Sequence, residues 1–381
     1  MEQHVYPWLG KYIGYTTAPE IDEHYQEAGV LWARQWGSLD AFPGDAQFGG
    51  LPYSLYGSAL VAIAGWTLKH LGFAQVLMSK DSTISHRNVI SIVSERPVLA
   101  ESLSHMFDVP ESVADSLLSA LTLTPENREF HCSAPGGYLI PMIQIGGPRS
   151  VARPLLGMLG EPTHFLLNEL QRRYPSDWDR AIAGREQLFR ADLYDLFPDY
   201  RFVRAPSPIR IRSSDGSIAT DIDAAVCDRQ TGSVGLFQLK WQDPFGASLR
   251  RRQSRKANLA REAAKWLDAV TSWLDRASDG EIASHLGLKN AAVSNVYLFI
   301  LGRHFSHFSG ATMDPRAAWG TWPQFMRLGL EHSDPSEVVG ALHDALCRES
   351  PELKATSLGD AAEPQTLELG GKTVSFEFER W

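Results

Sequence analysis

Two alternating runs, IATDIDAAVCD (218–228) and VGLFQLKWQ (234–242), stand on either side of the short segment RQTGS. Side chains of a strand alternate between its two faces. The second run therefore puts Phe237, Leu239 and Trp241 on one face, and Gln238, Lys240 and Gln242 on the other. A lysine inside so apolar a strand needs a partner, because an unpaired buried charge is costly. The Thr231–Gly232 turn makes the two runs a hairpin, and the hairpin supplies carboxylates. A four-residue loop, 229–232, sets Asp223 opposite Gln238 and Asp221 opposite Lys240. A two-residue turn, with Gln230 facing Ser233, sets Asp223 opposite Lys240 instead. In either register both aspartates share a face with Gln238 and Lys240.

The plainer explanation is a structural ion pair across the hairpin, since buried charges are normally paired. The sharper one is a metal centre. Carboxylate oxygens suit a hard cation such as Mg²⁺ or Mn²⁺, which needs only one or two protein carboxylates beside water and phosphate oxygens. A lysine next to that cation can orient the attacking water and offset charge on a phosphate.

The flanking elements give these residues a context. SDWDRAIAGREQLFRADLYDLF (176–197) has a helical apolar face of Trp178, Ile182, Leu188, Phe189 and Leu193, with Ser176 or Asp177 as cap. YRFVRAPSPIRIR (200–212) and the two hairpin runs read as strands. A basic helix (254–277) and an apolar strand (292–308) follow. The order helix, three strands, helix, strand implies a mixed sheet flanked by helices, an α/β architecture.

This arrangement, with TDIDAAV and LFQLKW at its centre, resembles the PD-(D/E)xK nuclease superfamily over residues 176–305. The family motif is an aspartate on the second core strand and an acid-x-lysine on the third. Asp223 matches the aspartate, Gln238 the acid position and Lys240 the lysine. Glu186, in the preceding helix, matches the acidic residue that often faces the site. Two positions depart from the motif: Ile222 stands where the name-giving proline would be, and Gln238 replaces the acid. The QxK form resembles the methylation-dependent restriction endonuclease branch. The resemblance implies a restriction endonuclease-like αβββαβ core. It also implies a catalytic set of Asp223, Gln238, Lys240 and Glu186, with Asp221 supporting it from behind. The first two and Glu186 would be the ligands of Mg²⁺ or Mn²⁺.

The segment SLRRRQSRKANLAREAAKW carries Arg250, Arg251, Arg252, Arg255, Lys256, Arg261 and Lys265 against Glu262 alone. In a chain of net charge −9, this run is the local basic patch a nucleic acid would need. Arg250, Arg251, Arg252, Arg255 and Lys256 are the candidate phosphate contacts. A solvated charged face is the plainer alternative.

The 381 residues divide, on this reading, into three parts. Residues 1–160 form a mostly helical N-terminal domain, 161–310 the nuclease-like domain, and 311–381 an extension that has a polar stretch over 351–364 and closes in a β-hairpin across Gly370–Gly371, expected to dock on the body through the face shared by Phe376 and Phe378. In DVPESVADSLLSALTL, Asp108 is the expected cap. YSLYGSALVAIAGWTLKHLGF contains a helix over 54–72, read as buried, with an apolar heart short of a membrane span. Cys132, Cys227 and Cys347 form no CxxC pair and read as buried thiols of a reducing compartment. His304 and His307, at the end of the last strand, are too few for a zinc site. The MEQHVYPWLGKYIGY start lacks the basic-then-apolar pattern of a signal peptide, so the expected location is cytoplasmic, with no membrane partner. The expected function is a metal-dependent endonuclease acting on DNA in restriction, repair or phage defence, with oligomerisation left open. The alternative is a catalytically inactive nuclease fold that binds nucleic acid or a protein partner.

Overall fold

The computed structural model describes residues 1–9, 12–36, 38–85, 90–133, 138–212, 217–242, 249–287, 293–307, 313–331, 336–349, 365–369 and 372–376. The chain is mixed α/β and separates into two compact units. The first comprises Met1–Ala191 and Trp241–Arg255, the second Asp192–Lys240 and Lys256–Trp381.

In the first unit, β1 (Val5–Trp8) and β2 (Tyr12–Tyr15) pair antiparallel, and α1 (Pro19–Ala33) follows. The short strands β3 (Gln47–Phe48) and β4 (Leu51–Pro52) turn through Gly49 and Gly50, both at positive φ, as a two-residue hairpin loop requires. α2 (Tyr53–Lys80) packs on α1 where two glycines meet. A Cβ on Gly65 would lie 2.5 Å from the Tyr25 carbonyl oxygen, and one on Gly29 2.7 Å from that of Val61. α2 is longer than the expected 54–72, and of the described helices it is the one long and apolar enough to cross a membrane. Within its most apolar 18-residue window 56% is buried, with Tyr56, Leu60, Ile63 and Phe73 enclosed in this unit.

The chain continues through β5 (Ser91–Glu95), α3 (Arg96–Phe107), α4 (Glu111–Leu121), β6 (Thr122–Leu123), α5 (Arg128–Ser133), β7 (Met142–Gln144) and β8 (Ser150–Pro154). Then come α6 (Leu155–Leu159), α7 (Thr163–Arg173) and α8 (Pro175–Asp195), whose last residues group with the second unit. Asp108 does not cap α4. It ends α3 in the left-handed region at φ 51°, and Pro110 precedes α4. β5, β8, β7 and β6 form a four-stranded sheet in that order, within a region that the sequence reads as mostly helical.

A buried carboxylate ties α5 to α7. Glu169 accepts from Arg172 (2.8 Å), Arg173 (2.6 Å) and Asn127 (3.3 Å), and pairs with His131 Nε2 at 2.8 Å. His131 stacks on Phe165 and shares its other nitrogen with the Tyr138 hydroxyl. Burial alone would raise the Glu169 pKa. The hydrogen bonds from Arg172, His131 and Arg173 outweigh it and hold the carboxyl far below its ordinary 4.5.

The second unit is built on a five-stranded sheet. Its strands are β9 (Phe202–Arg204), β12 (Ala224–Asp228), β13 (Ser233–Lys240), β14 (Asn295–Gly302) and β15 (Ala318–Thr321), in the order β15-β14-β13-β12-β9. Between β9 and β12, β10 (Ile209–Arg212) and β11 (Ile218–Ile222) form a separate antiparallel pair. The expected first strand is thus broken into β9 and β10 at Pro206 and Pro208, which have no N–H for a ladder. The second is broken into β11 and β12 by a bend at Asp223.

β12 pairs antiparallel with β9 and β13, and β13 parallel with β14. The parallel step needs a crossover, supplied by α9 (Leu249–Leu274) and α10 (Asp279–His285). Leu259, Ala263, Trp266, Leu267 and Val270 of α9 are buried at helical spacing. α11 (Trp322–Glu331) and α12 (Val338–Glu349) pack against the sheet. There Phe237 stacks on Phe299 with ring centroids 4.6 Å apart, and Phe325 of α11 meets both rings edge-on. β16 (Gln365–Leu369) and β17 (Lys372–Phe376) form the expected C-terminal hairpin, with Leu369 facing Lys372. Gly370, Gly371, the polar stretch 351–364 and Phe378 lie outside the described residues.

Candidate functional site

The β12–β13 register decides between the two turns. Cys227 faces Val234 and Ala224 faces Phe237, the register of a four-residue loop closed by Gly232 N–H donating to the Asp228 carbonyl at 2.8 Å. Gly232 takes φ 74°, the left-handed conformation glycine accepts freely. The Asp228 side chain is fully buried against Arg201 (2.7 Å) and belongs to the scaffold.

The same register places Asp223 beside Gln238. Both are buried, at 4% and 5% exposure. One oxygen of Asp223, Oδ2, accepts from Leu239 N–H at 2.7 Å and from the Gln238 amide. The ladder ends here, and a carboxylate receives the N–H of β13. Gln238 gives its NH₂ to Asp223, while its carbonyl oxygen makes no hydrogen bond among the described residues. Two residues on, Lys240 extends from the same side of β13 and is 21% exposed at its side chain.

The carboxylate beside Lys240 is neither aspartate of the hairpin. Lys240 Nζ lies 3.3 Å from Glu262 Oε2 on α9. Asp221 is corrected: it sits in β11 opposite Arg210, is exposed, and uses its carbonyl to accept from Trp266 Nε1 at 2.8 Å. The bend at Asp223 takes it off the five-stranded sheet, so strand parity no longer relates it to Lys240. Glu186 is exposed on the part of α8 that groups with the first unit, whereas Asp223, Gln238, Lys240 and Glu262 all lie in the second. Arg303, just past β14, donates its backbone N–H to the Lys240 carbonyl (2.8 Å) and its guanidinium to Asp192 (2.6 Å). Glu262, Arg303 and Asp192 were not selected from the sequence. For Glu262 a signal existed: it is the lone acid of the basic run, adjoining the buried Ala263.

Of the candidate phosphate contacts, Arg250 is exposed and Arg255 and Lys256 are half-buried. The side chains of Arg251 and Arg252 lie outside the described residues. Among the described residues, no group of three His, Cys, Asp or Glu side chains gathers as a metal cage. A cation at Asp223 would therefore rest on one carboxylate, the Gln238 carbonyl and non-protein oxygens, a set that suits Mg²⁺ rather than zinc. A polar hollow of about 930 Å³ in this unit lies elsewhere, lined by Arg212, Trp273, Arg276, Glu281 and His285. β14 ends at Gly302, so His304 and His307 follow the strand rather than close it; His307 pairs with Ser306 at 2.9 Å. Cys227 is buried as expected, but Cys132 and Cys347 are exposed; all three are free thiols.

No family model, curated protein or solved structure matches this chain.

Proposed function

We propose that the chain is a metal-dependent phosphodiester hydrolase acting on DNA, with a restriction endonuclease-like core and its centre at Asp223, Gln238 and Lys240. The observation that carries this reading is the Asp223–Gln238 pair at the end of β12–β13, with Lys240 next on the same side. The element order α8, β9, β12, β13, α9, β14 supports it, with β10–β11 as an insertion. A bound Mg²⁺ or Mn²⁺ would polarise the scissile phosphate and make the attacking water more acidic. Asp223 and the Gln238 carbonyl would hold that cation. Lys240 orients the water and offsets the charge that grows on the phosphate as the new P–O bond forms and the sugar oxygen leaves. Glu262 fixes the ammonium of Lys240 at the mouth of the site. The protein works in the cytoplasm on this reading.

A specific observation favours a second reading, a non-catalytic nucleic-acid binder on the same fold. The acid position holds an amide, and Lys240 already has a carboxylate partner in Glu262. Incubating the protein with plasmid, linear duplex and single-stranded DNA in Mg²⁺ or Mn²⁺ separates the two. The nuclease reading expects cleavage that EDTA abolishes; intact DNA in every arm contradicts it.

Binding has its own expectation. Each cation that neutralises a phosphate releases counterions, so affinity falls steeply with salt. Neutralising Arg251, Arg252 and Arg255 together should weaken binding to all sequences alike and flatten the salt slope by up to ~3 units. Fluorescence anisotropy of labelled duplex at several salt concentrations reads this. An unchanged slope would make the run a solvated face.

A further inference from the structure

We propose that the first unit binds a phosphate-bearing ligand at Arg153, a site separate from the Asp223 centre. Arg153, on β8, is 6% exposed. Its Nη2 donates to Ser94 Oγ of β5 at 3.0 Å, while Nε and Nη1 are buried without a hydrogen-bond partner. No carboxylate forms an ion pair with it among the described residues. A guanidinium does not shed its proton at neutral pH, so it cannot escape a buried, unpaired state by becoming neutral. Leaving such a charge uncompensated is strongly unfavourable.

The residues around it extend the same chemistry. His70 of α2 is also 6% exposed, and its Nε2 has no hydrogen-bond partner. Burial, and then the positive charge of Arg153, push the His70 pKa down to about 4. Tyr15 of β2 holds its ring 5.8 Å from His70 and stacks on Phe73 at 4.5 Å. Its hydroxyl pKa is raised by burial, drawn back by the positive charge of Arg153 and raised again by Asp22, so the hydroxyl keeps its proton as a donor. Tyr15 is only half-buried, so the cluster has an edge toward solvent. Residues of four elements thus surround one cation, and among the described residues no carboxylate pairs with it, Asp22 being held by Lys69.

An anionic ligand is what this arrangement lacks. Open donors on Arg153, together with Tyr15 and His70, exceed what the two oxygens of a carboxylate fill from one side. A phosphate spreads three or four acceptor oxygens over a tetrahedron and meets donors from several directions.

The test uses the full-length chain and thermal melts at matched ionic strength. Inorganic phosphate should raise the melting temperature in a saturable way, as any ligand that binds only the folded state does, while chloride and acetate should not. The shift should vanish in Arg153→Met, which keeps volume and removes charge. Should that variant not fold, Tyr15→Phe keeps the ring stack and loses the hydroxyl; its phosphate affinity should fall about fivefold, the effect of one hydrogen bond. A 5′-phosphorylated dinucleotide against its 5′-hydroxyl form then shows whether the phosphate arrives free or on a nucleotide. No phosphate-specific shift in the wild type, an equal shift with acetate, or unaltered binding in the folded variants would each overturn the proposal.

Discussion

Replacing Asp223 by asparagine is expected to lower Mg²⁺-dependent DNA cleavage by about 10³-fold, the scale on which loss of a centre's main electrostatic group is felt. The choice of asparagine follows from the geometry. Asp223 Oδ2 receives the buried Leu239 N–H and the Gln238 amide, so the residue also closes the end of the β12–β13 ladder. Alanine would orphan those donors and cost about 1–3 kcal/mol in stability, confusing a loss of fold with a loss of chemistry. Asparagine keeps an oxygen for Leu239 N–H and the Gln238 amide, while it gives up the charge and turns the second oxygen into an NH₂ donor. Cleavage rates read beside a urea melt separate the two effects. Undiminished cleavage by folded Asp223→Asn would remove the metal from this position.

Glu169→Ala is expected to destabilise the first unit by about 3–5 kcal/mol, the range found when one side of a buried charge network is deleted. The carboxylate is wholly enclosed, and its loss takes the acid from buried His131 and from the part-exposed Arg172 and Arg173, of which Arg173 keeps the Ser119 carbonyl. The network also sets an acid limit. The folded-state pKa of Glu169 lies below the 4.5 of an unfolded glutamate. Its contribution is therefore fully present above pH about 4.5 and is lost as the pH falls from there toward the depressed folded value. Urea midpoints measured from pH 7 down to pH 3 should fall in the wild type over that lower range. Glu169→Gln should start lower and lack this part of the slope. Parallel curves for the two proteins would mean that the carboxylate is not held by its partners.

What could be read in the sequence was local and periodic. The alternation across RQTGS shows the β12–β13 hairpin, and the four-residue loop puts Asp223 opposite Gln238, as observed. The GG and TG turns and the long apolar run of α2 were visible for the same reason. Pro206 and Pro208 stand where β9 and β10 part, but the stretch as a whole reads as one strand. Nothing in the alternation marks the bend at Asp223, which separates Asp221 from the sheet; parity arguments assume a continuous strand. The β5-β8-β7-β6 sheet was hidden because its strands are short and pair across distant segments. The pairing of Glu262 with Lys240 was hidden for a related reason, although Glu262 itself stands out as the lone acid of the basic run. A pairing from helix to strand follows from how α9 packs on the sheet, and hydrophobic spacing shows which helix face is buried but not which strand residue meets its rim.

Lys240→Ala offers the most direct test. Lys240 is part-exposed, its ammonium meets only Glu262 among the described residues, and its truncation leaves no buried donor without an acceptor. The measurement is single-turnover cleavage of end-labelled duplex in Mg²⁺, with DNA affinity and thermal melting recorded on the same preparations. The account predicts EDTA-sensitive cleavage by the wild type, its loss by at least about 10²-fold in Lys240→Ala, and unchanged melting. Equal cleavage by the two proteins, or none by the wild type with any DNA form, would contradict it.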